Sequence, residues 1–133
     1  MKLLVGQGSC GIAAGAGKVY DALAKQNQGG AFELGLTGCI GMCYLEPIVD
    51  VYDGKNLAAR LVRVTPEDAQ AIADAVCQNN LDAVRSLFIS EDDKSFLSQQ
   101  TRIALRHCGI IDPEDIEDYI ADDGYQAIQK VLS

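Results

Sequence analysis

The chain has few basic residues: 11 Lys and Arg stand against 19 Asp and Glu, and the formal net charge is −8. Binding to the phosphates of DNA or RNA needs clustered Lys and Arg, so nucleic acid is not an expected partner. The same imbalance disfavours an anionic membrane surface. No run approaches the roughly 18–20 apolar residues of a membrane span, so we expect no membrane insertion.

The N-terminus lacks the pattern of a secretory signal peptide. Residues 1–6 have one Lys and a very short apolar run, which glycines then interrupt. We therefore expect a cytoplasmic protein, and a reducing compartment discourages structural disulfides. The chain nevertheless has five cysteines, an odd number: Cys10, Cys39, Cys43, Cys77 and Cys108. Free, catalytic or metal-binding thiols are the remaining interpretations.

Histidine is almost absent, which argues against common forms of acid–base catalysis. The single histidine, His107, has no nucleophile or orienting acid near it in sequence. It lies at the C-terminal end of a predicted helix, before Gly109, where the helix dipole would stabilise its charged form. We expect it to cap that helix rather than to act on a substrate.

Hydrophobic and turn patterns predict an α/β domain over residues 1–80, with elements in the order β-α-β-β-β-α. The predicted strands are 2–5, 32–36, 48–52 and 59–64, and the predicted helices are 18–28 and 65–77. A helix between the first two strands indicates a right-handed parallel crossover. Asp53-Gly54 indicates a hairpin between the last two strands.

The sequence pattern of residues 81–133 predicts a short helical segment. Residues 81–89 suit either a strand or a helix, and residues 90–94 form a charged linker. Helices are predicted at 96–108, 112–121 and 125–132, with Gly109 ending the first. Seven acidic residues lie between Asp112 and Asp123, which is typical of a solvated helical face.

Two glycine-rich loops carry cysteines at the ends of neighbouring predicted strands. Cys10 follows the first strand, and Cys39 and Cys43 follow the second. Because glycine lets the backbone approach closely, the three thiols should meet at one sheet edge. Converging thiolates suit a soft metal centre such as zinc or iron–sulfur. Three ligands are one fewer than the four that a closed site prefers.

The N-terminal part of the chain resembles the thioredoxin-like [2Fe–2S] ferredoxins. The resemblance lies in the predicted element order, in Cys10 and in residues 38–43 (Gly-Cys-Ile-Gly-Met-Cys). Residues 100–113 (Gln-Thr-Arg-Ile-Ala-Leu-Arg-His-Cys-Gly-Ile-Ile-Asp-Pro), 119–121 and 124–127 are similar to the segment before the flavin domain of the NADH-binding flavoprotein subunit of complex-I-like dehydrogenases. That subunit type also occurs in NAD(P)-linked hydrogenases and formate dehydrogenases. The resemblance implies an electron-transfer or subunit-docking module, with flavoprotein and iron–sulfur subunits as partners.

The resemblance implies a [2Fe–2S] cluster, but only Cys10, Cys39 and Cys43 match the family's ligands. The family's C-x4-C pattern places the fourth ligand at Val5, and Ser9 is the only other oxygen or sulfur side chain beside Cys10. Three interpretations stay open. The cluster is lost and the fold serves docking, or a cluster persists with a non-cysteine ligand. In the third, the cysteines form a thiol-redox or zinc site.

The flavin and NADH sites of the resembling subunits lie beyond the position of Leu132, so neither FMN nor NAD is expected to bind within this chain. Residues 6–17 are rich in glycine but do not give the G-x-G-x-x-G fingerprint of a dinucleotide site. The chain is therefore not expected to be catalytic alone. Cys77 and Cys108 are predicted to be packing or helix-end residues.

Overall fold

The computed structural model describes all 133 residues, as a mixed α/β architecture. The strands and helices run in the order β1 (Lys2–Gly6), α1 (Ser9–Ala14), α2 (Ala16–Gln26), β2 (Glu33–Thr37), β3 (Val49–Asp53), β4 (Asn56–Leu61), α3 (Ala69–Cys77), α4 (Glu91–Ser98), α5 (Ile116–Ala121) and α6 (Gln126–Leu132). Short 3₁₀ helices cover Cys43–Leu45, Pro66–Asp68 and Leu81–Leu87.

The four strands form one sheet in the order β2-β1-β3-β4. β1 pairs with β2 in parallel and with β3 antiparallel, and β3 and β4 form a hairpin. Gly54 has a φ of 58° in the hairpin turn, which glycine adopts without strain. The predicted fold class, the parallel crossover and the hairpin are confirmed.

The helix-covered face of the sheet holds the main hydrophobic core. Alternate residues of β1 and β3 point into it and pack with apolar residues of α2 and α3: Leu3, Val5, Val49, Val51, Val19, Leu23, Ile72 and Val76. Burying one such aliphatic side chain contributes about 1.5–3 kcal/mol. This packing fixes β1 between its neighbours and so fixes the loop that leaves its end.

The opposite face of the sheet contains a buried ion pair. Leu4 lies across from Asp50 and Asp50 lies across from Arg60, so the three residues share this face. Asp50 is 1% exposed, and both carboxylate oxygens accept hydrogen bonds of 2.7 Å from the Arg60 guanidinium. Burial raises the pKa of Asp50, and the bonds to Arg60 partly offset that effect.

Residues after α3 pack against the sheet rather than extend away from it. Val84 belongs to the main core, and Phe88 forms a β-bridge with Leu61. Farther along, the Thr37 hydroxyl donates to the carbonyl of Ile111 at 3.0 Å. The proposed division into residues 1–80 and 81–133 stays a prediction.

Two predicted elements were wrong. Residues 9–14, predicted as loop, form α1, which ends where Gly15 adopts a φ of 102°. The helix predicted at 96–108 is replaced by α4, because Ser90 caps the amide of Asp93 and three acidic residues occupy the first turn. Residues 103–110 form turns instead.

The remaining C-terminal helices begin later than predicted. Asp115 caps α5 by accepting from the Glu117 amide, so this helix starts at Ile116 rather than at residue 112. The last helix, α6, starts at Gln126. None of the helices in the chain combines the length and the apolar character that crossing a membrane requires.

Candidate metal centre

The strand order brings the three predicted cysteines together. Cys10 lies in the first turn of α1 after β1, Cys39 lies two residues after β2, and Cys43 begins a 3₁₀ helix. β1 and β2 are parallel neighbours, so their carboxyl ends meet at the same edge of the sheet. The three Sγ atoms all lie within 4.8 Å of one another. Their role as metal ligands stays a proposal.

The distances among the sulfurs suit both thiol hydrogen bonding and metal binding. The Cys10 thiol donates to Cys39 Sγ at 3.2 Å, and the sulfurs of Cys39 and Cys43 are 3.7 Å apart. Two thiolates on one tetrahedral metal, each at about 2.3 Å, are separated by about 3.8 Å. The backbone amide of Gly41 donates to Cys39 Sγ at 3.3 Å, a bond that stabilises a thiolate.

A glycine makes the close approach of the two loops possible. A Cβ atom at Gly8 would lie 2.7 Å from the Cβ of Cys39, which is closer than real Cβ contacts occur. In the second loop, Gly41 adopts a φ of 91° between the two cysteines. The glycines expected to shape the thiol loops are therefore required at these two positions.

Glu46 is a site residue that the sequence analysis missed. Its side chain is 8% exposed, and its Oε1 lies 3.8 Å from Cys10 Sγ. Its Oε2 accepts a hydrogen bond of 2.9 Å from the amide of Ile48. The available signal was that Glu46 is the only acidic residue between β2 and β3, three residues after Cys43.

Without a bound cation, the site disfavours the ionised forms of the Cys10 thiol and the Glu46 carboxyl group. Burial, then hydrogen bonds with Cys39 and Cys43, raise the pKa of Cys10 to about 12. Burial also raises the pKa of Glu46. A bound metal cation reverses this effect, because a coordinating thiol loses its proton outright. The site therefore has the donors for a metal but requires the metal to hold them charged.

Val5, at the position expected for the fourth ligand, and Ser9, the polar side chain beside Cys10, do not complete the site. Val5 is fully buried in the core on the helix-covered face. Ser9 is exposed, and the hydrogen bonds of the three cysteine sulfurs do not involve its side chain. Neither residue joins the thiol group.

The other cysteines and the histidine lie outside the group of three. Cys77 is exposed at the end of α3, as predicted for a helix-end residue, and Cys108 is half-buried. His107 does not cap a helix: it lies among turns, and its Nδ1 contacts the carboxylate of Asp122 at 2.5 Å. The predicted capping role was wrong because the helix 96–108 does not form.

Solved structures establish the fold. A 1.5 Å crystal structure of the wild-type thioredoxin-like [2Fe–2S] ferredoxin from Aquifex aeolicus matches 68% of this chain and 96% of that chain, with a TM-score of 0.56 and 21% identity. A second structure of a thioredoxin-like [2Fe–2S] ferredoxin from the same organism matches 67% of this chain and 89% of that chain, with a TM-score of 0.50 and 24% identity. The chain has the thioredoxin-like ferredoxin fold. No protein-family model matches it.

One curated relative supports the second resemblance. The NADP-reducing hydrogenase subunit HndC of Solidesulfovibrio fructosivorans is 60% identical over 35 residues. The match covers 26% of this chain and 7% of that subunit. The resemblance expected from the sequence, to a hydrogenase-type subunit with a thioredoxin-like ferredoxin domain, is confirmed.

Proposed function

We propose that this protein is an electron-transfer module of a multi-subunit NAD(P)H-linked oxidoreductase. Cys10, Cys39 and Cys43 hold a [2Fe–2S] cluster in this proposal. The observation that carries it is the convergence of three thiols within 4.8 Å at the strand ends of a ferredoxin fold. Thiolates are the donors that iron–sulfur clusters use, so the three cysteines fit this group as three of its four ligands.

The cluster, when bound, supplies a one-electron carrier, and the protein residues tune and expose it. The Gly41 amide donates to Cys39 Sγ, and such bonds raise the reduction potential by stabilising charge on sulfur. Cys43 is exposed and so offers the side on which a redox partner approaches most closely. The function therefore depends on a partner that docks beside the second loop.

The C-terminal segment provides support for docking to larger subunits. Ten large apolar side chains are exposed between residues 103 and 132: Ile103, Leu105, Ile110, Ile116, Tyr119, Ile120, Tyr125, Ile128, Val131 and Leu132. Extended exposed apolar surface marks an interaction site. Together with the HndC match, it supports membership of a multi-subunit oxidoreductase. In this proposal the partners are flavoprotein and iron–sulfur subunits, and the protein acts in the cytoplasm. The protein is not catalytic alone in this proposal.

The test is anaerobic reconstitution of the full chain with iron and sulfide, followed by metal and sulfide analysis, visible absorption and EPR of the reduced protein. Wild type and the control Cys77→Ala should bind equal amounts of iron and sulfide and give a [2Fe–2S] signal. Cys39→Ala should lose that signal. A colourless wild-type protein that binds zinc but no iron would overturn electron transfer and leave a zinc protein or a docking domain.

A thiol-redox function is the second candidate, because Cys10 and Cys39 approach to 3.2 Å. The alternative pair, Cys39 and Cys43, has sulfurs 3.7 Å apart. A disulfide bond is about 2.05 Å long, so only a small movement separates the first pair from bonding. This function predicts a Cys10–Cys39 disulfide when a disulfide oxidant such as oxidised glutathione accepts the two electrons from the metal-free protein, and its reversal by a thiol reductant. Mass spectrometry of the unreduced chain detects it.

A further inference from the structure

We infer that Glu46 is the fourth ligand of this centre, so that the donor set is three thiolates and one carboxylate. The inference rests on the proposed function, since it names the ligand that the missing cysteine at Val5 would otherwise supply. It goes beyond that function in assigning the oxygen ligand to one residue. The inference rests on three observations: the position of Glu46 beside Cys10, the lack of a basic partner for its buried carboxyl group, and the space left for that group.

The position of Glu46 makes it a partner of Cys10. Its Oε1 is 3.8 Å from Cys10 Sγ, and the sulfurs of Cys39 and Cys43 are 3.7 Å apart. Both separations suit two donors that share one tetrahedral metal, with bonds of about 2.0–2.3 Å. Cys10 with Glu46 and Cys39 with Cys43 would then be the two donor pairs that hold the cluster. The hydrogen bond between Cys10 and Cys39 contains a proton that metal binding removes.

Glu46 is also a buried acidic residue without a basic partner, so a bound metal would supply the counter-charge that its carboxylate lacks. Two acidic residues are buried in this protein, Glu46 and Asp50. Asp50 has the guanidinium of Arg60 against both of its oxygens, but no Lys, Arg or His forms an ion pair with Glu46. Burying an ionised carboxylate is costly unless a counter-charge or a metal accompanies it. The only side chain bonded to Oε1 is the Cys10 thiol.

The backbone around Glu46 leaves room for its carboxylate. A Cβ at Gly6 would lie 3.4 Å from Oε2, and a Cβ at Gly11 would lie 3.2 Å from it. The same atom at Gly11 would be only 2.3 Å from the carbonyl oxygen of Gly6. The Ile48 amide binds Oε2 in this space, and Oε1 lies beside the Cys10 thiol.

The direct test compares four proteins after anaerobic reconstitution: wild type, Glu46→Gln, Glu46→Cys and the control Glu67→Gln, which changes an exposed acid. Iron and sulfide content, EPR and the rate of cluster loss to a chelator are measured. Glu46→Gln should lose its cluster at least about tenfold faster than wild type, because it lacks a charged ligand. Glu46→Cys should retain the cluster with an altered EPR spectrum, and the control should match wild type.

A Glu46→Gln protein with wild-type iron content, EPR spectrum and chelator resistance would overturn the inference. So would a Glu46→Cys protein whose EPR spectrum is unchanged. Circular dichroism of each metal-free variant separates a lost ligand from a lost fold. Gln has nearly the same shape and still accepts from the Ile48 amide, so this variant is expected to fold.

A separate measurement distinguishes failure of this inference from failure of the proposed function. If wild type takes up no iron–sulfur cluster, the electron-transfer proposal fails, and Co²⁺ then reports on the donor set itself. Thiolate-to-cobalt absorption bands should appear in wild type, and the affinity should fall at least about tenfold in Glu46→Gln. Equal Co²⁺ affinity in the two proteins would overturn the role of Glu46.

Discussion

At the scale of single residues, the close approach of the two thiol loops requires a residue without a side chain at Gly8. Gly8 has an ordinary extended backbone, with a φ of −64°, so alanine could adopt its conformation. What excludes alanine there is the Cβ of Cys39, 2.7 Å from the position of the added atom. Gly8 is therefore a spacing residue between the two thiol loops.

Gly8→Ala should push the loops apart and weaken metal retention. We expect cluster loss to a chelator to be faster on the order of tenfold, as for other residues that position ligands. The matched control is Gly17→Ala in α2, where an added Cβ meets nothing within 4 Å. The control should keep wild-type retention and gain up to about 1 kcal/mol in unfolding free energy from helix propensity. Equal retention in Gly8→Ala and wild type would contradict the spacing role.

At the scale of elements, the hairpin of β3 and β4 contains the buried pair of Asp50 and Arg60. The side chains are 2% and 15% exposed, and two hydrogen bonds join them. Burial raises the pKa of Asp50 even with the guanidinium in contact, so desolvation outweighs the attraction. We therefore expect the pair to contribute more to strand register than to stability.

Asp50→Asn should therefore destabilise the chain strongly, because it leaves the Arg60 charge buried without a partner. We expect a loss of about 3–5 kcal/mol, measured by urea unfolding of the metal-free protein. The double variant Asp50→Leu with Arg60→Met should lie within about 1 kcal/mol of wild type or above it. A double variant as unstable as the single one would show that the pair has a net stabilising role.

Elements with a local signal were predictable from the sequence, and those set by distant contacts were not. β1 to β4, α2 and α3 follow apolar periodicity and turn residues, and Thr65 with Asp68 forms the capping box that starts the helical region before α3. Residues 103–110 have a helical pattern, but Arg102 beside them donates to the carbonyls of Ile40 and Cys108. Those contacts fix turns where propensity favours a helix.

The same distinction applies to the centre. The meeting of Cys10 with Cys39 and Cys43 follows from strand order, which the sequence indicates. The place of Glu46 does not, because its carboxylate is fixed by the backbone of Gly6 and Gly11, at least 35 residues away in sequence. Only the folded arrangement shows that these backbones leave room for an acid.

At the scale of the whole molecule, the C-terminal half forms hydrogen bonds with the loop that contains Cys39 and Cys43. Tyr44 donates to Asp93 at 2.5 Å, and Arg102 donates to the carbonyl of Ile40 at 2.5 Å. The loop that contains Cys39 and Cys43 is thus linked to both α4 and the turns after it. We expect the order of this loop to depend on those contacts.

Arg102→Ala should release this link, at a local cost of about 1.5–3 kcal/mol for hydrogen bonds from a charged group. Hydrogen exchange should then be faster for the amides of residues 39–43 and 103–111, and the core strands should be unaffected. Arg106→Ala removes a nearby exposed arginine that forms no hydrogen bond, and it should leave exchange unchanged. Unchanged exchange in Arg102→Ala would show that the loop is held without the C-terminal half.

If Glu46 and the thiols bind metal as we infer, metal binding would affect how much folded protein the cell retains. Metal that binds only the folded chain shifts the folding equilibrium by mass action, by about 2.7 kcal/mol at a hundredfold excess over its dissociation constant. Scarcity of metal would then enlarge the unfolded fraction that proteases remove. The abundance of the chain would follow metal availability without a dedicated sensor.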